Sequence, residues 1–213
     1  MKKIALAATI CLAIINSSIA QSEKFEPAMK KVVTDLDSAK TGDDLQNVSN
    51  SFERIATAEK DQWLPYYYAA YAQVMKTYME KDVSKIDPTI DKADMLLANA
   101  ESLSQQNSEI NTLKAMATQC RMRVDWNRGM TLGPKCVALI KDAEKQDPNN
   151  PRAWMFDAQS IYNTPSQFGG SKDKGKELLK KAVELYASFK PASPLAPNWG
   201  KKHAENMMVQ WSK

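Results

Sequence analysis

Residues that commonly perform catalysis are scarce in this sequence of 213 residues. It contains a single histidine, His203, which argues against a histidine-rich metal site and a catalytic triad. Carboxylates are abundant, but none forms an isolated pair on an otherwise apolar helical face, so a glycosidase-like acid and base are not indicated. We therefore predict that the protein is not an enzyme and uses no cofactor and no metal, with an unrecognised active site as the alternative.

One segment has the spacing of a phosphate-binding loop. Residues 170–176, Gly-Ser-Lys-Asp-Lys-Gly-Lys, match its glycine and lysine positions. Glu177 stands where serine or threonine should hold magnesium, and no strand precedes the segment. We predict instead a turn at Gly169 and Gly170, with Ser171 capping the helix that follows.

Aromatic side chains are concentrated between Trp63 and Tyr71, where residues 66–68 are three consecutive tyrosines. A helix turns about 100° per residue, so these three side chains cannot all face one core. Some of them therefore either form a recognition surface or pack against neighbouring helices with their hydroxyls reaching water.

The composition predicts a helical protein of modest charge. Only 7 glycines are present and strand-like alternation is missing, which favours an all-α fold. The formal net charge is +4, and no basic block resembles a phosphate-tracking stripe, so nucleic acid is not expected as the main partner.

The start of the chain is typical of a secretory signal peptide. Lys2 and Lys3 precede an apolar run over residues 4–15, and Ser18 and Ala20 are the small residues before a cleavage site. We predict a signal peptide over residues 1–20 and a helical domain over 21–213. The run is too short to span a membrane, and the residues before Cys11 do not form a lipoprotein motif. A periplasmic or secreted product without membrane insertion is expected.

Residues 130–154 carry a spacing that appears again later in the chain. Small, bulky, small and proline positions fall at Cys136, Ile140, Ala143 and Pro148, and Trp154 follows. The sequence therefore resembles tetratricopeptide repeat (TPR) proteins, in which antiparallel helical hairpins stack as a solenoid. The hairpins are expected at about residues 24–59, 62–104, 108–146 and 151–187, with a capping helix at about 198–211.

The resemblance also implies a binding groove lined by the first helix of each hairpin. Aligned on Trp63, Cys120 and Trp154, the groove would contain Tyr68, Tyr71, Lys114, Arg121, Asp125, Arg152, Gln159, Tyr162 and Asn163. Tyrosine, arginine and amide groups suit an extended peptide. We therefore predict an exported module that binds a protein or peptide partner, with a small-ligand or glycan binder using the tyrosine-rich helix as the alternative.

Two cysteines follow the predicted cleavage site, and both lie about eight residues from the inferred turn of the third hairpin. Cys120 and Cys136 also occupy the small positions at which helices of the resembled family approach closely. We therefore predict a disulfide between Cys120 and Cys136, which export would allow to persist. The alternative is a pair of reduced, buried residues that serve as small apolar side chains.

Overall fold

The computed structural model of the protein describes residues 23–212, and within this range the chain has nine α-helices and no strand. The helices are α1 (Phe25–Ser38), α2 (Gly42–Ala58), α3 (Trp63–Met79), α4 (Ile86–Leu103), α5 (Ser108–Met122), α6 (Gly129–Gln146), α7 (Pro151–Asn163), α8 (Lys172–Ser188) and α9 (Lys201–Trp211). Short 3₁₀ turns, Val83–Lys85, Trp126–Arg128 and Ser166–Phe168, separate α3 from α4, α5 from α6 and α7 from α8. The predicted signal peptide lies outside the described residues.

Consecutive helices pack as hairpins, which confirms the predicted all-α fold class. Helix α3 packs on α4, α5 on α6 and α7 on α8, while α2 packs on α3 and α9 on α8. Helix α5 also contacts both α3 and α7 directly. These three helices therefore line one common side of the stack, which we call the inner face.

The spacing that predicted the last two hairpins corresponds to buried positions where helices cross. Each position is occupied by a small or bulky residue that is buried in the structure: Cys136, Ile140 and Ala143 on α6, and Gly175, Leu179 and Ala182 on α8. A Cβ atom at Gly175 would lie 2.7 Å from the Cβ of Tyr162, so α7 and α8 approach closely only because this side chain is absent.

The two glycines before α8 form the predicted turn. Gly169 has a φ of +88°, a left-handed conformation that favours glycine. A Cβ at Gly170 would lie 1.7 Å from the carbonyl oxygen of Thr164, so this position also requires glycine. Ser171 accepts a hydrogen bond from the Lys174 amide at 3.2 Å and caps α8. The segment is thus the turn and cap that the sequence indicates.

The predicted disulfide is not formed in this structure, where Cys120 and Cys136 are both buried free thiols. The register of α5 and α6 explains the difference. Cys136 Sγ lies 3.6 Å from the carbonyl oxygen of Ala115, five residues before Cys120, which corresponds to about 7.5 Å along the helix. Cys120 Sγ instead accepts a hydrogen bond from Thr77 Oγ1 of α3 at 3.2 Å, so the two thiols are directed at different helices.

Among residues 23–212, no helix is long and apolar enough to cross a membrane.

Candidate functional site

A non-helical segment of the chain itself covers much of the inner face. We call this segment, residues 190–200 between α8 and α9, the strap. Leu195 is buried, and its carbonyl oxygen accepts a hydrogen bond from Tyr68 Oη at 2.9 Å. The indole of Trp199 stacks on Tyr71, with ring centres 4.8 Å apart, and donates from Nε1 to Tyr67 Oη at 2.9 Å. Three members of the tyrosine-rich helix therefore hold the strap.

A buried ion pair anchors the end of the strap. Arg152 of α7 is 1% exposed and binds Glu109 of α5 through both carboxylate oxygens, with Nε 2.7 Å from Oε2. Its Nη1 donates to the carbonyl oxygen of Trp199 at 3.3 Å, and Phe189 lies 4.6 Å from the guanidinium. Burial opposes the charge, but Glu109 more than offsets this effect, so the pKa of Arg152 lies above its ordinary value.

Gly200 allows the strap to close onto the helices. Its φ is +104°, and a Cβ at this position would lie 2.1 Å from Tyr186 Oη. That hydroxyl in turn donates to the carbonyl oxygen of Trp199 at 3.3 Å. The end of the strap is thus fixed by backbone conformation as well as by Arg152.

Helix α9 covers two of the groove residues predicted on α7, Gln159 and Tyr162. Gln159 Nε2 lies 3.0 Å from His203 Nε2 and 3.2 Å from Met207 Sδ. Tyr162 and Trp211 stack almost in parallel at 3.8 Å. Asn163 is exposed and ends α7. The lone histidine therefore belongs to the capping helix, and partial burial lowers its pKa.

The residues predicted on α5 do not point into the groove. Lys114 pairs with Glu101 of α4 at 2.5 Å. Arg121 also turns to α4, where it forms ion pairs with three carboxylates: Asp87, Asp91 and Asp94. Asp125 caps the next turn by accepting from the Asn127 amide at 2.9 Å. The nine predicted residues therefore do not form one open surface, because some bind the strap, some bind α9 and some bind α4.

Residues seven apart lie on nearly the same side of a helix, and this spacing identifies the inner face of α5. Glu109, which binds Arg152 of α7, is followed at this spacing by Met116 and Arg123. On α3, Tyr71 is followed by Tyr78. Trp199 of the strap stacks on Tyr71. Glu109 is linked to the strap through Arg152. Tyr78 lies one spacing further along α3 and Arg123 two spacings further along α5, toward the ends of these helices.

Large apolar side chains at the end of α3 and in the turn after α5 are exposed. Tyr78 is 45% exposed, Met79 44% and Trp126 72%, all high values for large apolar side chains. Arg123 lies over the Tyr78 ring, with its guanidinium carbon 5.1 Å from the ring centre. Its Nη1 donates to the carbonyl oxygen of Thr77 at 3.3 Å. We call Tyr78, Met79, Arg123 and Trp126 the rim patch.

The hydroxyl of Tyr78 is buried although the residue as a whole is 45% exposed. Burial, followed by the nearby Cys120, raises the pKa of Tyr78 well above its ordinary value. The exposed part of the ring, with Arg123 over it, can contact an apolar ligand. No group of three histidine, cysteine or acidic side chains suited to a metal ion occurs in the described part of the chain.

Comparison with known proteins gives one informative match. Neither a protein-family model nor a curated protein matches the chain. A solved structure, the HusA haemophore from Porphyromonas gingivalis, is similar with a TM-score of 0.81 and 32% sequence identity. The alignment covers 90% of this chain and 94% of that one.

This similarity corrects the predicted partner. The similar protein is by name a haem carrier, which contradicts the prediction of a protein or peptide partner. The structure supplies a physical reason for the error. The side chains that seemed suited to an extended peptide, including Tyr68, Tyr71 and Arg152, already hold the strap.

Proposed function

The chain belongs to the same family as the HusA haemophore, and on this premise we propose that it binds haem and carries it without catalysing a reaction. Haem is in the small-ligand class that the sequence left as an alternative. The alignment extends over nearly all of both chains, so the likeness concerns the whole helical stack and not one shared hairpin.

We place the haem at the rim patch. The observation that supports this placement is the exposure of Tyr78, Met79 and Trp126 together with the guanidinium of Arg123 over the Tyr78 ring. Haem is a flat apolar ring with carboxylates on one edge, so it needs both kinds of surface. Covering about 100 Å² of apolar surface would contribute about 2.5 kcal/mol.

Other parts of the surface suit haem less well. Two shallow depressions are lined mainly by polar side chains, one around Glu101 and Gln105 and the other around Asp147 and Lys190. His203 offers an imidazole, but its Nε2 lies against Gln159. Phe168 is 65% exposed in the turn between α7 and α8, but among residues 23–212 no arginine lies over its ring.

Export is part of the proposal. A carrier that collects haem outside the cell needs a secretory signal, and residues 1–20 have the charged start, apolar run and small-residue site of one. We further propose that the hairpins stack as in TPR proteins, with α3, α5 and α7 as the first helices of successive repeats.

Titration with haemin tests both the function and the site. The expected result is saturable binding, seen as a change in the haem absorption spectrum that follows a single transition as the haemin concentration rises. Replacing Trp126 and Met79 together by alanine should weaken binding at least tenfold, because truncating one or two contact residues at a binding site typically costs about 2 kcal/mol or more. Both side chains are well exposed, so the variant should keep the helical circular dichroism of the wild type.

Matched variants distinguish the rim patch from other sites. Phe168→Ala removes an aromatic side chain of similar exposure from the equivalent turn of another hairpin, and Met95→Ala removes a thioether that is 52% exposed on α4. His203→Ala removes the lone imidazole. All three should bind haemin as the wild type does. Non-saturable binding would refute the proposed function, and loss of binding in His203→Ala or Phe168→Ala alone would refute the placement.

A further inference from the structure

Arg123 differs from the other arginines around the inner face. Arg121, Arg128 and Arg152 each form at least one ion pair with a carboxylate. Arg123 forms none within residues 23–212, although it is an exposed cation. An arginine that is held in place but not neutralised is available to an anionic ligand.

The guanidinium of Arg123 is held in a defined position. One hydrogen bond to the Thr77 carbonyl and the contact with the Tyr78 ring tie it to the end of α3. An arginine side chain has five N–H donors in a planar fork, so most of them remain for a ligand. Because the side chain is already positioned, binding a carboxylate would cost it little further conformational entropy.

Charges near Arg123 do not compete for it. Asp125 is only two residues away, but its carboxylate accepts the Asn127 amide within its own turn. Asp87 lies between Arg121 and Arg128. The chain is also divided by charge: residues 23–104 have ten basic and fifteen acidic side chains, whereas residues 105–213 have seventeen basic and ten acidic ones. An anionic ligand would therefore approach the half that contains Arg123.

We propose that Arg123 binds a propionate carboxylate of haem while Tyr78 and Trp126 contact the macrocycle. This assignment rests on the proposed function and adds the group that orients the ligand. The carboxylate would meet the planar fork in a two-pronged hydrogen bond, the geometry that makes arginine a strong carboxylate ligand. The apolar edge of the macrocycle would then lie over the aromatic part of the rim patch.

The test compares haemin with haemin dimethyl ester, in which both propionates are methylated. Each is titrated against the wild type, Arg123→Gln and Arg54→Gln under the same solvent and salt. Arg54 is an exposed arginine on α2 that binds only Ser51 within the described residues, so it controls for the loss of one positive charge. The wild type and Arg54→Gln should bind the free acid about tenfold more tightly than the ester. Arg123→Gln should lose this preference, because its affinity for haemin should fall while its affinity for the ester stays the same.

The salt dependence provides a second measurement. Haemin affinity of the wild type should fall as ionic strength rises, and the fall should be smaller for Arg123→Gln. Arg123→Lys, which keeps the charge but not the fork, should retain the salt dependence and lose part of the preference for the free acid.

The outcomes separate this assignment from the proposed function. Equal binding of both ligands by the wild type, or equal weakening of both by Arg123→Gln, would overturn the role of Arg123 while leaving haem binding in place. Absence of saturable binding for both ligands would overturn the proposed function itself. Thermal unfolding of the variants, which should match that of the wild type, excludes misfolding as the cause.

Discussion

Glu144 creates a pH-dependent weakness between the last two hairpins, and its removal should stabilise the protein at neutral pH. Lys141 Nζ lies 2.9 Å from Glu144 Oε2 and 2.7 Å from Asp157 Oδ2, so one ammonium group serves two carboxylates. The side chains of Glu144 and Asp157 are only 9% and 2% exposed. Glu144 Oε1 is buried and has no hydrogen-bond partner among the described residues. A charged carboxylate is therefore poorly accommodated at this position.

The size and sign of the effect follow from the pKa. Burial, followed by the nearby charge of Asp157, outweighs Lys141 and raises the pKa of Glu144 from 4.5 to about 7. The folded state therefore holds this proton more tightly than the unfolded state does. Proton binding by Glu144 therefore stabilises the folded state. This stabilisation is fully present below pH 4.5 and is lost as the pH rises through about 7. This shift corresponds to about 3 kcal/mol of unfolding free energy between the two limits.

The substitution Glu144→Gln isolates this contribution, because a neutral amide has nearly the shape of the protonated acid. At pH 8 we expect Glu144→Gln to be more stable than the wild type by up to about 3 kcal/mol. Near pH 4.5 the two proteins should have nearly equal stability. Urea unfolding, followed by circular dichroism at a series of pH values, measures the difference in unfolding free energy between the two proteins. Both proteins contain His203 and the other titrating groups, so the contributions of those groups cancel in this difference.

A control substitution on α8 completes the experiment. Glu184→Gln removes a carboxylate that is 67% exposed and 4.0 Å from Lys180, so it should change stability little at any pH. A gain from Glu144→Gln that did not depend on pH would mean that amide packing, not the raised pKa, causes it. No gain at pH 8 would show that Lys141 compensates the charge fully.

Two further substitutions test how the strap and the inner face are held. Glu109→Gln should lower the unfolding free energy by about 3 to 5 kcal/mol in urea titrations, because it leaves buried Arg152 without its carboxylate; Glu101→Gln, which removes a half-exposed partner of Lys114, should cost less than about 1 kcal/mol. Gly200→Ala should lower the melting temperature, because a Cβ there meets the Tyr186 hydroxyl and the backbone is left-handed. Gly133→Ala, in a helical position with nothing within 4 Å, should leave the melting temperature unchanged or raise it.

The local features of the fold could be predicted because they depend on neighbouring residues. The recurring small and bulky positions on α6 and α8 require close helix crossings, and the Gly169–Gly170 turn requires residues without a Cβ. Each of these constraints involves residues that lie close together in the sequence. The hairpin architecture therefore followed from this spacing together with the resemblance to TPR proteins.

On α5 the structure differs from the predicted groove by a shift of two residues. Using Cys120 as the crossing position selected Arg121 for the groove, whereas the structure directs Arg123 toward α3 and Arg121 toward α4. Two residues correspond to about 200° of helix rotation, so this shift exchanges opposite faces. Glu109 was missed for the same reason. Spacing within one helix could not reveal the mistake, because both faces of α5 pack against other helices.

The strap was missed because it depends on contacts between distant parts of the chain. Trp199 binds Tyr67 across 132 positions, and Leu195 binds Tyr68 across 127. Tyrosine hydroxyls of α3 and the guanidinium of Arg152 do bind a non-helical, proline-containing segment, but that segment belongs to the same chain. A tethered segment has an effective concentration that a separate peptide seldom reaches. Because the strap already occupies Tyr68 and Tyr71 in the middle of the inner face, we propose the rim patch as the haem-binding surface.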